Sequence, residues 1–131
     1  IMRKGNPRGV GSLYDLGKPG LKILDVSLEN MKAIQAGAPG IRENICARVE
    51  TGQEGLNLWL ADSTIDFWIT YRSWHIQMTG SSDFIGLPEK VFRATPAAII
   101  AASANREAAG EFLNFLKSEN AHSIFRKWGW E

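Results

Sequence analysis

Three short runs of β-forming residues, each followed at once by a helical pattern, constrain this chain more than any other feature. Residues 21–26, 45–49 and 65–70 are dense in aliphatic, β-branched and aromatic side chains, with 41–48 open to the alternative of a continued helix. Behind them, residues 29–36, 54–61 and 71–78 carry apolar positions at helical spacing. Parallel neighbours in a sheet need a crossover long enough to hold a helix, so this alternation builds a small parallel sheet. The expected class is α/β: a small parallel-core sheet flanked by helices.

Local signals refine the pattern. Glycine and proline crowd residues 5–20, which predicts a loop-rich opening with an extended start and a one-turn helix at 13–16 behind Ser12. Leu28, Met31 and Ile34 or Gln35 share one face of the 29–36 helix. Thr51 with Glu54 three positions on has capping-box spacing, and Leu56, Trp59 and Leu60 form the apolar face behind it. Residues 79–83 read as a surface loop, and 91–102 as an extended crossing segment with Pro96 at a sheet edge or in a linker. Asn105 starts a helix to about residue 117, with Ala108, Ala109, Phe112, Phe115 and Leu116 as its buried stripe. Ser118 caps a last helix that buries Ala121, Ile124, Phe125 and Trp128 and stops at Gly129.

Composition removes several function classes. Of 131 residues, 44% are hydrophobic and 22% charged, the balance of a globule rather than a disordered chain. A net charge of +1 offers no bulk field for gripping nucleic acid. No apolar run reaches the roughly 18 residues of a spanning helix. One cysteine, Cys46, excludes an internal disulfide and a cysteine-rich zinc cluster. His75 and His122 lack acidic or cysteine neighbours at ligand spacing, so no metal is expected. No nucleophile elbow, phosphate loop, metalloprotease or dinucleotide motif occurs, and neither catalysis nor a cofactor is expected.

What remains is binding. In an open parallel sheet, ligands sit beyond the carboxyl ends of the strands, where helices begin and unpaired N–H groups face outward. Those ends here are 25–27, 50–53 and 70–73, a setting that suits an anion or an oxygen-rich ligand. Tyr71 offers a phenolic donor and Arg72 a guanidinium able to bind an oxyanion bidentately; Ser73 follows them. Trp74 stands where it would line a cleft. The bland reading of the same residues is a set of helix caps and packing aromatics.

Two stretches carry a resemblance. Residues 6–23, Asn6-Pro7-Arg8-Gly9-Val10-Gly11-Ser12-Leu13-Tyr14-Asp15-Leu16 and Lys18-Pro19-Gly20-Leu21-Lys22-Ile23, resemble the opening of the second lobe in type II periplasmic solute-binding proteins. The tail, Asn105-Arg106-Glu107-Ala108-Ala109 through Ile124-Phe125-Arg126-Lys127-Trp128-Gly129-Trp130, is similar to their ending. Ile65-Asp66-Phe67-Trp68-Ile69-Thr70-Tyr71 resembles a strand of the molybdate-binding branch, and the ending and this strand together resemble most closely the accessory colonization factor C group.

The resemblance implies a periplasmic receptor that delivers a small anion to a membrane ABC permease. Sulfate, molybdate or tungstate lead, and small carboxylates follow. By the same likeness Tyr71 and the helix start at Thr51, Gly52 and Gln53 would contact the ligand, with Ser27 as the post-strand loop. That loop departs from the molybdate pattern, because Asp25-Val26-Ser27-Leu28-Glu29 replaces the proline- and glycine-bearing run. The implied organisation is a crossing segment (1–10), a second ligand-binding lobe (11–90) and the return strand and helices of the first lobe (91–131), most of which lies outside this chain. Left alone, the terminal helices would expose apolar surface, so the isolated chain is expected to dimerise or swap domains. The rival functions are an effector-binding domain of a transcription regulator and, more remotely, an enzyme on the same fold.

Overall fold

The computed structural model describes residues 1–87 and 94–130 and divides the chain into two compact units, Ile1–Val91 and Phe92–Glu131. In the first unit the described residues form one mixed sheet of five strands: β1 (Met2–Arg3), β2 (Ile23–Val26), β3 (Ile45–Val49), β4 (Phe67–Trp68) and β5 (Ser82–Asp83). Their order is β3-β2-β4-β1-β5. The expected parallel core is there. Central β2 runs parallel to β3, pairing Leu24 with Ala47 and Val26 with Val49, and parallel to β4, pairing Leu24 with Trp68. β1 is antiparallel to both β4 and β5, which makes the sheet mixed.

Both faces of β2 are covered, and all four of its residues are buried. One face packs Ile23 and Phe67 with Leu13, Leu16, Met31 and Ile34, under helix α1 (Lys32–Ala36). The other packs Leu24, Val26 and Trp68 with Trp59 of helix α2 (Gly52–Ala61) and with Ile65 and Met78. A near-continuous apolar run such as 21–26 is what a strand buried on both sides requires.

Helix α2 is closed at both ends. At its start the Thr51 hydroxyl accepts from the Glu54 amide, and the Glu54 carboxylate accepts from the Thr51 amide at 2.8 Å, completing the capping box. At its end the Arg3 guanidinium lies 3.7 Å over the Trp59 ring. It donates to the carbonyls of Trp59, Asp62 and Ile65, so a cation meets the negative end of the helix. Gly55 is buried, and a Cβ there would stand 2.7 Å from the Trp68 ring, so the close approach of α2 to the sheet requires glycine. Helix α3 (Arg72–Gln77) follows β4.

Several local expectations are corrected. The 29–36 helix is broken: a 3-10 turn, Ser27–Glu29, ends at Asn30 in a left-handed conformation, and α1 begins only at Lys32. In consequence Leu28 is 57% exposed and Glu29 is buried, the reverse of the apolar face read from spacing. The 65–70 run pairs as a strand only at Phe67–Trp68. Beside it, the Asp66 carboxylate takes the Lys22 amide and the Arg8 guanidinium, doing with a side chain what a ladder bond would do. Ser82–Asp83 is an edge strand rather than a surface loop, and Leu60 lies outside the buried arc centred on Gly55 and Trp59.

In the second unit, α4 (Arg106–Leu116) and α5 (Glu119–Lys127) form where expected. The Ser118 hydroxyl accepts from the Ala121 amide, and Gly129 at φ 83° ends the last helix. The buried stripes are not there. Ala121 is buried, whereas Phe112, Phe115, Ile124, Phe125 and Trp128 are exposed. The 91–102 crossing segment lies partly outside the described residues, and 94–100 have no regular secondary structure. Among the described residues no helix is long and apolar enough to cross a membrane.

Candidate functional site

Because β2, β3 and β4 are parallel, Val26, Val49 and Trp68 all finish at one edge of the sheet. The loops beyond them touch. The Leu28 amide donates to the Glu50 carbonyl at 3.0 Å, joining the first exit to the second. The Tyr71 hydroxyl donates to the Glu29 carbonyl at 3.2 Å, joining the third to the first. Gly52, at the head of α2, lies against the indole of Trp74 on α3, joining the second to the third. Two further strands reach the same edge. Antiparallel β1 begins there, with the Trp68 amide donating to the Ile1 carbonyl at 2.9 Å. β5, antiparallel to β1 in turn, runs out towards it at Phe84.

The residues named from the sequence thus share one edge, with differing freedom. Ser27 is exposed and opens the 3-10 turn. The Thr51 amide and hydroxyl are both committed to the capping box. The Glu54 carboxylate also takes the Glu50 amide at 3.0 Å, and the Thr51 and Glu50 donors hold its pKa below the ordinary value. The amides of Gly52 and Gln53, the first two of α2, have no acceptor inside the helix, and the Gln53 side chain turns to Asn57 at 3.1 Å. Arg72 is exposed, and Ser73 is half-buried at the start of α3.

At the centre of this edge is a residue that the site reading left out. Glu29 is only 6% exposed. Its carboxylate accepts from the Thr70 hydroxyl at 2.6 Å and from the Trp74 indole N–H at 2.7 Å. Trp74 in turn stacks on fully buried Trp68 with ring centroids 5.7 Å apart. The sequence did hold a signal, since Thr70, Tyr71 and Trp74 supply three donors within five residues. An apolar-face reading of 28–35 hid the acceptor.

Other candidate groups have structural partners. Asp25 is buried against Gln35 at 2.6 Å and Arg48 at 2.8 Å. His75 faces Ser82 at 2.9 Å and stacks on Phe84. Since the Ser82 hydroxyl donates to the Met78 carbonyl, the imidazole Nδ1 is the donor of this pair. Burial holds the His75 pKa below its ordinary value. A concavity of about 190 Å³ lies elsewhere, walled by residues 11–14, Gly37 and 85–87, with no charged side chain in its lining.

A parallel core whose strand exits meet at one edge is the place where open α/β sheets bind ligands. The comparisons make the family explicit. The family model for bacterial extracellular solute-binding proteins matches residues 1–131, and the chain belongs to that family. Among solved structures it is similar to Peb3 from Campylobacter jejuni, with a TM-score of 0.70 and 24% identity over all of this chain and 62% of that one. A structure of PEB3 with bound L-phospholactate gives a TM-score of 0.65 and 22% identity over all of this chain and 63% of that one. The likeness to these structures is one of fold, and the chain spans less than two thirds of their length. A comparison with curated proteins returns no match.

Proposed function

We propose that the first unit is a ligand-binding lobe of a periplasmic receptor that captures a small anion for an ABC importer. The observation that carries this reading is the convergence of three strand exits on one edge. There the Gly52 and Gln53 amides, which have no acceptor inside α2, the Tyr71 hydroxyl and the exposed Arg72 gather at the positive ends of helices. Residues 1–10 and 91–102 act as the crossings of the hinge, and 91–131 return to the other lobe. Within the family the chain falls nearest the molybdate-binding branch and the accessory colonization factor C group.

Two ligand types compete. Tetrahedral oxyanions such as sulfate, molybdate and tungstate suit bare amides. The phospholactate held by a structural neighbour favours an organic phosphate or carboxylate, for which Arg72 and Ser73 add donors beyond the amides. Calorimetric titration of the intact protein with sulfate, molybdate and L-phospholactate separates them. On binding, the Tyr71 hydroxyl turns from the Glu29 carbonyl to the anion, so Tyr71→Phe weakens binding of the preferred anion by about 1 kcal/mol or more, a hydrogen bond to a charged group less the one given up. Unchanged affinity would remove Tyr71 from the site. Silence towards every anion would favour the regulator-domain reading, in which a neutral effector occupies the same edge.

A further inference from the structure

We infer that Glu29 is the positioning residue of this edge: from the β2 exit it sets the conformation of the β4 exit, its carboxylate placing Trp74 against the head of α2 and its carbonyl holding the Tyr71 hydroxyl. The inference rests on the binding-edge reading above and adds to it a residue that neither the sequence nor the comparisons assign.

Burying a carboxylate is costly unless hydrogen bonds replace its water. At this position packing alone would have chosen differently, because Leu28 next to it is 57% exposed while Glu29 is 6% exposed. The backbone enforces the exchange. The Asn30 amide donates to the Ser27 carbonyl at 3.2 Å, closing a 3-10 turn, and Asn30 takes φ 55°, a left-handed value that asparagine tolerates better than most residues. That turn delivers the acid inward and the leucine outward. A local departure from apolar patterning marks a site with a task other than packing.

The contacts show the task. Glu29 engages three side chains of the β4 exit: the Thr70 hydroxyl, the Tyr71 hydroxyl through its own carbonyl, and the Trp74 indole. With the indole fixed by Glu29 and stacked on Trp68, its ring edge abuts Gly52. The Gly52 amide and the Tyr71 ring are thereby set relative to each other before any ligand arrives, which reduces the ordering cost of binding. Glu29 acts through Tyr71 and Trp74 rather than on the ligand.

The test separates reach from charge. Glu29→Gln keeps side-chain length and an oxygen for the indole. Glu29→Asp keeps the charge and shortens the reach by one methylene. In the intact protein, the Trp74 indole N–H resonance, identified by its loss in Trp74→Phe, reports the hydrogen bond without any ligand. Glu29→Asp is expected to shift that resonance upfield and to weaken binding of sulfate or L-phospholactate at least fivefold. Glu29→Gln is expected to hold the resonance near its wild-type position and affinity within about twofold. The reverse order, with Asp like wild type and Gln impaired, would overturn the inference by making charge the property that counts. An unmoved indole resonance in both variants would overturn it as well. If the wild-type protein bound neither probe, the anion reading would fall, and the resonance in Glu29→Asp would still decide whether Glu29 sets this exit.

Discussion

Gly52→Ala tests the geometry of the edge with one added methyl group. Gly52 has an ordinary φ, so alanine suits its backbone, and at the first position of a helix alanine is favoured over glycine by up to about 1 kcal/mol. On propensity alone the variant would be more stable. The structure says otherwise. The new Cβ would stand 2.3 Å from Cζ2 of Trp74, about 1.1 Å short of the 3.4 Å at which ordinary contact begins, and 3.0 Å from Nε1. The indole cannot yield by that distance in place, because Trp68 lies against its face and its N–H is held by Glu29 at 2.7 Å. It has to swing outward, which breaks a hydrogen bond to a carboxylate worth roughly 1.5–3 kcal/mol. After the full propensity gain, the net loss is about 0.5–2 kcal/mol. For a unit of this size that lowers Tm by roughly 2–15 °C. Thermal unfolding followed by circular dichroism gives the stability, and tryptophan emission reports whether the indole has become wetter. A Tm at or above wild type with unchanged emission would show that Trp74 does not bear on Gly52, and the joining of the second and third exits would be refuted.

Other expected outcomes follow from the same contacts. Thr51→Ala removes the capping acceptor of α2 and costs about 1 kcal/mol in urea denaturation; no loss would mean that Glu54 alone closes the helix. His75 has its pKa lowered by burial, so the unfolded chain takes the proton first and stability falls as pH drops through the ordinary value of 6.5. His75→Asn should flatten that slope in a Tm series from pH 8 to 5, and an identical slope would exonerate the imidazole. Asp15, Glu54, Asp62 and Asp83 are held below their ordinary values by hydrogen-bond donors, led by Lys18, Thr51, Thr64 and Lys4 respectively. Their contribution is present above the ordinary carboxylate range and is lost as pH falls below it. Light scattering of the isolated chain is expected to show association through the exposed aromatics of α4 and α5, relieved by Phe112→Ser with Phe125→Ser; a clean monomer would count against this.

Much of this protein is written locally. The strands at 23–26 and 45–49, the capping box of Thr51 and Glu54, the Ser118 cap and the Gly129 stop all follow from propensities that act over a few residues, and each lies where the sequence places it, while of the 65–70 run only Phe67–Trp68 pairs as a strand. The class of fold follows too, because alternating strands and helices leave little choice but parallel pairing. The convergence of Thr51, Gly52, Gln53 and Tyr71 on one edge is a consequence of that topology, legible once the strands are read as parallel neighbours. What only the tertiary structure decided lies in the long-range bonds. Asp66 replaces a ladder bond by reaching 44 residues back to Lys22, Arg3 closes a helix that ends nearly 60 residues later, and β1 joins the sheet antiparallel. The burial of Glu29 in place of Leu28 belongs here as well. Spacing rules weigh a residue by its own hydropathy, whereas an acid goes inside when donors from a distant strand exit meet it, and those donors are 41 and 45 residues away.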